Sequence, residues 1–364
     1  LLASCCDQLI THPNVVNASD INELPANAHY VEGSVLCRLL MMALEDAGLD
    51  GQTEKTGVVL GTAMAESLQM EKIWESHQKK NQPDHENNSR VIFPDQDINE
   101  TVAAAFHLQG PSHLVSTTCA AGNHAIAWAS DLLKTGAADA MLAVGADTIS
   151  YVDLLGFSRL LLQAPECCQP FDLHRKGTIL SEGAGALVLE PLNLAKRRGA
   201  EILAEVAGYG LSCDAAGPFD SRVKDIESLV IAAERTFQEA QCSPDEIEYI
   251  SAHGSGTRLN DSKETLFIKT ILGERAYKVP ISSIKSMLGH AQGAASSFEA
   301  IACVLSFKHD ILYPTINYKT LDPQCDLDYV PNEARLCRVN TIMSNAFGVG
   351  GNNAIVIFRR WLGK

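Results

Sequence analysis

Short apolar runs framed by glycine alternate along this chain with longer amphipathic stretches, and that alternation leaves few folds open. Residues 57–61, 114–117, 140–146, 183–190, 201–209, 247–252, 279–283, 341–346 and 354–358 read as strands. Between them, residues 35–47, 65–79, 97–107, 125–133, 157–163, 192–198, 224–240, 262–272 and 294–307 read as helices. Strand and helix in repeated succession imply a mostly parallel sheet covered on both faces. The pattern restarts near Gly199, which implies two similar halves, residues 1–198 and 199–364, although letter-by-letter repetition between them is weak. Residues 1–30 show little periodicity, and residues 79–90 read as a polar surface segment.

Charge and cysteine usage narrow the function classes. A net charge of −15 with no long basic cluster argues against a nucleic-acid backbone as partner. The 11 cysteines follow no short repeating framework and no signal peptide precedes them, so free thiols in a reducing cytoplasm are expected. The doublets Cys5-Cys6 and Cys167-Cys168 lack the spacing of a metal site, and none is expected. No apolar run reaches membrane-spanning length.

One cysteine stands apart. Cys119 lies in a small-residue turn between a strand and the helix-forming run from Ala125. Helix N-termini present free backbone N–H groups that favour an anion. A thiol of pKa about 8.5 needs about 2 kcal/mol to ionise at pH 7, which a partly buried helix terminus can supply. Most free cysteines are simply packed as small hydrophobes, so the nucleophile reading draws on the rest of the chain. His253 and His290 each follow an expected strand, as Cys119 does. In α/β sheets, ligands collect at that edge. The glycine run at residues 348–351 is followed by a strand rather than a helix. It is therefore read as a tight turn bringing backbone against a ligand, not as a phosphate loop.

These motifs together resemble a family. Cys119 in Thr-Thr-Cys-Ala-Ala-Gly, His253 in His-Gly-Ser-Gly-Thr, Lys285 and His290 in Lys-Ser-Met-Leu-Gly-His, and the closing Asn-Ala-Phe-Gly-Val-Gly-Gly-Asn are similar to the β-ketoacyl-ACP synthases, the elongating Cys-His-His branch of the thiolase-like superfamily. The resemblance runs from about residue 35 to residue 358 and looks closest to catalytic ketosynthase subunits of type II polyketide systems, with fatty-acid enzymes close behind. It implies an α/β thiolase-like fold whose two halves carry mixed sheets in an αβαβα layering. It also implies decarboxylative condensation of malonyl-ACP with an acyl group held on Cys119. His253 and His290 would stabilise the enolate. Lys285, Glu299 and Asp261 would form a charged network behind them. Backbone N–H groups of Cys119 and Phe347 would form the oxyanion hole, with Phe347 also gating the nucleophile. Ser255 and Thr257 would bind the pantetheine arm. No cofactor beyond the phosphopantetheine of an acyl carrier protein is implied.

The family is dimeric through the strand before the nucleophile, here residues 114–117, as a homodimer or with a paralogous subunit. Three departures accompany the likeness. The family's usual opening strand is missing, which with a non-Met start points to a chain that begins late. Residues 26–33 hold no lysine or arginine where the family has a basic carrier-docking stretch. Val349 stands where an aromatic is common. A degradative thiolase would need a second cysteine near the C-terminus, and an initiating synthase an Asn at position 290. The competing reading is a partner subunit of the chain-length-factor type, which usually lacks the nucleophile present here. Acyl chain length, starter unit and product are not written in the sequence.

Overall fold

The computed structural model describes residues 42–49, 55–64, 98–214 and 225–363, with positions 39, 67, 70, 71, 74 and 75. The expected opening segment, most of the helix at 65–79 and the polar stretch 79–90 lie outside the described residues. Of the helix expected at 35–47, residues 42–46 are helical, and Gly48 closes them at φ +65.

Two sheets carry the chain. The first contains β1 (Thr56–Thr62), β2 (Ser112–Ser116), β3 (Ala140–Asp147) and β4 (Gly183–Leu189), in the order β2-β1-β3-β4. β1 runs parallel to β2 and β3, and β4 is antiparallel to β3. The second contains β5 (Ala204–Cys213), β6 (Tyr249–Ser251), β7 (Ile281–Ser282), β10 (Thr341–Phe347) and β11 (Asn352–Arg360), in the order β5-β11-β10-β6-β7. β10, β6 and β7 are parallel, while β11 and β5 are antiparallel. A two-stranded ribbon joins β8 (Ile311–Leu312) to β9 (Arg335–Leu336).

Strand alternation sorts the side chains into layers. Successive residues of a strand face opposite sides, so Met141 and Ala143 of β3 enter the central core while Leu142 and Val144 enter an outer one. Likewise Val356 and Phe358 of β11 face the centre, and Ile355 and Ile357 face away. The central layer is α2 (Ala121–Lys134) and α8 (Ala295–His309), packed between the two sheets. α8 carries apolar or small residues on every face, the mark of a helix without a solvent side. α1 (Ile98–Ala105) covers the first sheet outside. α5 (Glu227–Glu239) and α6 (Arg258–Leu272) cover the second. This is the αβαβα layering the resemblance implied.

The described residues also include the short helices α3 (Tyr151–Arg159), α4 (Leu192–Arg198) and α7 (Lys285–Leu288). Several bounds differ from expectation for local reasons. α3 starts six residues before the expected 157, because Ser150 and Asp153 form a capping box. α6 starts at Arg258 rather than 262 because Thr257 caps it. β5 runs from 204 to 213 rather than 201 to 209, following its long pairing with β11.

Candidate active site

Three strand ends meet around Cys119. After β2 the backbone turns through Thr118 at φ +52, and a 3-10 turn (Thr118–Ala120) leads into α2. A β-branched residue in that region is strained by about 1–3 kcal/mol and must be held there. The Thr118 hydroxyl supplies the hold, reaching the Val349 carbonyl (3.0 Å) and the Thr117 carbonyl (2.8 Å). The nucleophile turn is thereby latched to the glycine turn after β10. Backbone hydrogen bonding from Val349 also reaches the Cys119 sulfur.

Cys119 is 5% exposed. Burial pushes its thiol above the ordinary value. The Val349 backbone and the Lys285 charge pull it down, and the charge on Asp147 pushes it up. The expectation that the helix end would leave a ready thiolate is corrected here. One of the N–H groups in the first turn of α2, that of Asn123, is already taken by the Ser296 hydroxyl at 3.1 Å. Desolvation outweighs what remains, so the resting group is a thiol.

His253 follows β6, and His290 follows α7. Their rings stand edge to face with centroids 5.6 Å apart. Phe347 lies 5.9 Å from His253, and Phe157 lies 6.3 Å from His290. Nδ1 of His253 meets two donors, the Phe347 amide at 3.3 Å and the Lys285 ammonium at 3.5 Å. Nδ1 of His290 accepts the Gln292 amide at 3.2 Å. Each Nδ1 is therefore an acceptor and each Nε2 carries the proton. Burial, then the Lys285 charge, hold both imidazoles well below their usual pKa, with His290 adding to the effect on His253. Both are neutral N–H donors at pH 7.

Lys285 ties the three groups together. It is buried, pairs with Glu299 of α8 and donates to the His253 carbonyl at 2.7 Å. Its charge acts on Cys119, His253 and His290 alike. Burial pushes Glu299 up to about 7 even with the ammonium beside it.

Asp261 does not join this network, contrary to expectation. Its carboxylate lies 3.4 Å from Arg175 and accepts the amides of Phe171 (2.8 Å) and Gly256 (3.2 Å). Burial raises it to about 6. A further buried acid, Glu264, one turn further along α6, holds the backbone of His253, and the sequence reading missed it. Glu264 accepts the amides of His253 (2.9 Å) and Gly254 (2.8 Å) and the Asn345 side chain (3.1 Å). Its spacing of three from Asp261 put both on one helix face and was the available signal. Glu264→Ala strips three buried donors of their acceptor. Stability in urea should fall by about 3 kcal/mol, and a loss under about 1 kcal/mol would show that these donors find other partners.

The remaining expected residues are engaged locally. The Ser255 and Thr257 hydroxyls lie 2.9 Å apart, and Thr257 caps α6. The Phe347 amide, expected in the oxyanion hole, donates to His253 in this arrangement. Among the described residues no group of three or more His, Cys, Asp or Glu is arranged to hold a metal, and no helix is long and apolar enough to cross a membrane. The eight described cysteines are free.

A buried cysteine at a helix start, two imidazoles held as neutral donors and a shared lysine thus lie on one five-layer thiolase-like scaffold. The sequence matches the β-ketoacyl synthase N-terminal domain over residues 34–195 and the C-terminal domain over residues 203–319. The chain belongs to the β-ketoacyl synthase family. It is 46% identical to nodulation protein E of Rhizobium leguminosarum bv. trifolii over 254 residues, covering 70% of this chain and 62% of that protein. It thus spans less than two thirds of that relative's length. The ishigamide ketosynthase/chain length factor superposes with a TM-score of 0.84 at 33% identity, over 93% of this chain and 84% of that one. The AntDE–AntF complex, a type II polyketide acyl-carrier protein with its ketosynthase bound to the hexaketide, gives 0.83 at 33% identity, over 93% and 86%.

Proposed function

We propose that this chain is an elongating β-ketoacyl-ACP synthase of the type II polyketide kind, with fatty-acid elongation as its nearest relative in chemistry. The observation that carries this is the pair of imidazoles whose Nδ1 atoms are both occupied by donors, under the same Lys285 charge that acts on the buried Cys119. Cys119 attacks the thioester of an acyl chain on carrier-borne phosphopantetheine. The acyl group moves to sulfur, and the thiol proton leaves with the carrier thiol. Malonyl-ACP then loses CO2, and its negative charge passes to the enolate oxygen. The Nε2–H groups of His253 and His290 stabilise that oxygen. The enolate carbon attacks the Cys119 thioester, the Cys119 thiolate departs and takes a proton, and a β-ketoacyl-ACP two carbons longer is released.

Lys285 and Glu299 support the imidazoles. Ser255 and Thr257 bind the pantetheine arm, Phe347 gates Cys119, and the amides of Cys119 and Phe347 hold the acyl oxygen once Phe347 is released from His253. No cofactor beyond that arm is required. The halves divide at residues 198 and 199, the second holding both histidines. β2, an edge strand of the first sheet, pairs with the same strand of an identical or paralogous subunit. Free cysteines fit a cytoplasmic location.

The test is to incubate the purified protein with an acyl-ACP and weigh it. An adduct of the acyl mass on Cys119 supports the proposal. An unmodified mass with a competent acyl-ACP would favour the chain-length-factor reading, which the lack of lysine and arginine in residues 26–33 keeps in view.

A further inference from the structure

Asp147, the last residue of β3, has no part in the chemistry described above, yet it joins that site's two sides. It is 5% exposed and faces no cation within ion-pair distance among the described residues. Its Oδ1 accepts from the Thr62 hydroxyl (2.7 Å) and the Met64 amide (3.2 Å). Its Oδ2 accepts from the amides of Ala63 (2.8 Å) and Gly293 (2.6 Å). One carboxylate thus ties the end of β1 and the loop after it to the turn that follows His290.

That turn is under constraint. Gln292 sits at φ +52, and its amide is the donor that occupies Nδ1 of His290. The very next amide, Gly293, is the one held by Asp147. A Cβ at residue 293 would lie 2.5 Å from Oδ2 and 2.6 Å from the Ala63 nitrogen, so only glycine admits this approach. A left-handed glutamine returns to ordinary backbone unless its flanks are fixed. If it did, the Gln292 amide would leave His290, and nothing would keep the proton on Nε2.

We propose that Asp147 is a positioning residue for His290: through the Gly293 amide it holds the strained turn whose preceding amide fixes the imidazole with its N–H on Nε2. This rests on the ketosynthase reading above. The same carboxylate has a second, opposite influence, since its negative charge disfavours ionisation of Cys119. The two influences give opposite signs in the two half-reactions, which a purely structural role does not.

Three measurements on Asp147→Asn decide the matter: malonyl-ACP decarboxylation, acyl transfer to Cys119, and the pH profile of Cys119 alkylation by iodoacetamide. Asn places an amide N–H against donors that need an acceptor. Decarboxylation should fall about tenfold to a hundredfold. Acylation should hold or quicken, and the alkylation profile should move to lower pH. Asp147→Glu keeps the charge but displaces the turn. It should lose decarboxylation with an unmoved alkylation profile, and it carries the decision if Asp147→Asn does not fold. Both half-reactions falling together, or neither changing, overturns the proposal. A wild-type protein that neither acylates nor decarboxylates instead sinks the ketosynthase reading. The alkylation profile of Asp147→Asn then still decides the link to Cys119, and an unmoved profile overturns it.

Discussion

Cys119→Ala should abolish acyl transfer while sparing decarboxylation. In the proposed mechanism the Cys119 thiol takes the acyl chain, so its removal ends the covalent route. Loss of a nucleophile costs on the order of 10⁴-fold or more in turnover, which in practice means condensation falls to background. In the proposed mechanism, decarboxylation draws on different atoms. It needs two neutral N–H donors aimed at an oxygen that gains charge, and those depend on Nδ1 of His253 and His290, not on sulfur. His290→Ala should show the converse, with CO2 release down about a hundredfold or more and an acyl adduct still visible by mass. The check is a pair of assays on each variant, CO2 release from malonyl-ACP and intact-protein mass after acyl-ACP. Unchanged CO2 release from both His253→Ala and His290→Ala would remove the enolate role from the imidazoles.

Much of this site could be seen in the sequence because its parts lie just beyond strand ends, where periodicity breaks into glycine. The strand before Cys119, the strand before His253 and the closing β10–β11 turn were all legible that way. What escaped was whatever depends on contact between distant segments. Asp261 and Glu264 are both acids on one turn of α6, and nothing local says which of them faces Arg175 and which faces the His253 amide. The thiol was expected to ionise at the helix end, but Ser296, 173 positions away from Asn123, takes one of the helix-end N–H groups, and burial does the rest. Asp147 falls just after the strand expected at residues 140–146, and no local motif singles it out. The early start of α3 was different: Ser150 and Asp153 have capping-box spacing, and that signal was present in the letters.

Lys285→Met should damage stability and chemistry together, and the two can be separated. Removing the ammonium leaves Glu299 buried without a counter-charge, a loss of about 3–5 kcal/mol. Glu299 already sits at about 7 through burial, and without Lys285 it rises further. A carboxyl whose folded pKa lies above its unfolded value near 4.5 keeps its contribution at low pH and loses it as pH climbs through the folded value. The deficit should therefore be small near pH 5 and grow toward pH 8, measurable as urea midpoints across that range. A deficit that shrinks with rising pH would mean Glu299 is not the group left exposed. Adding Glu299→Gln should recover most of the stability, since a neutral pair needs no compensation.

It should not recover turnover. Lys285 also lowers the thiol of Cys119 and both imidazoles, and none of that returns with Glu299→Gln. In the wild type, decarboxylation should run flat through pH 6.5, because burial and Lys285 keep both rings neutral there. In Lys285→Met and in the double variant the rings protonate more readily. A protonated ring can no longer accept the Phe347 or Gln292 amide at Nδ1, so the acid limb of the rate profile should move to higher pH. The Cys119 thiol moves up in parallel, and each pH unit of that shift removes about tenfold of the thiolate. If the double variant regained both stability and full activity, Lys285 would be no more than half of a structural ion pair.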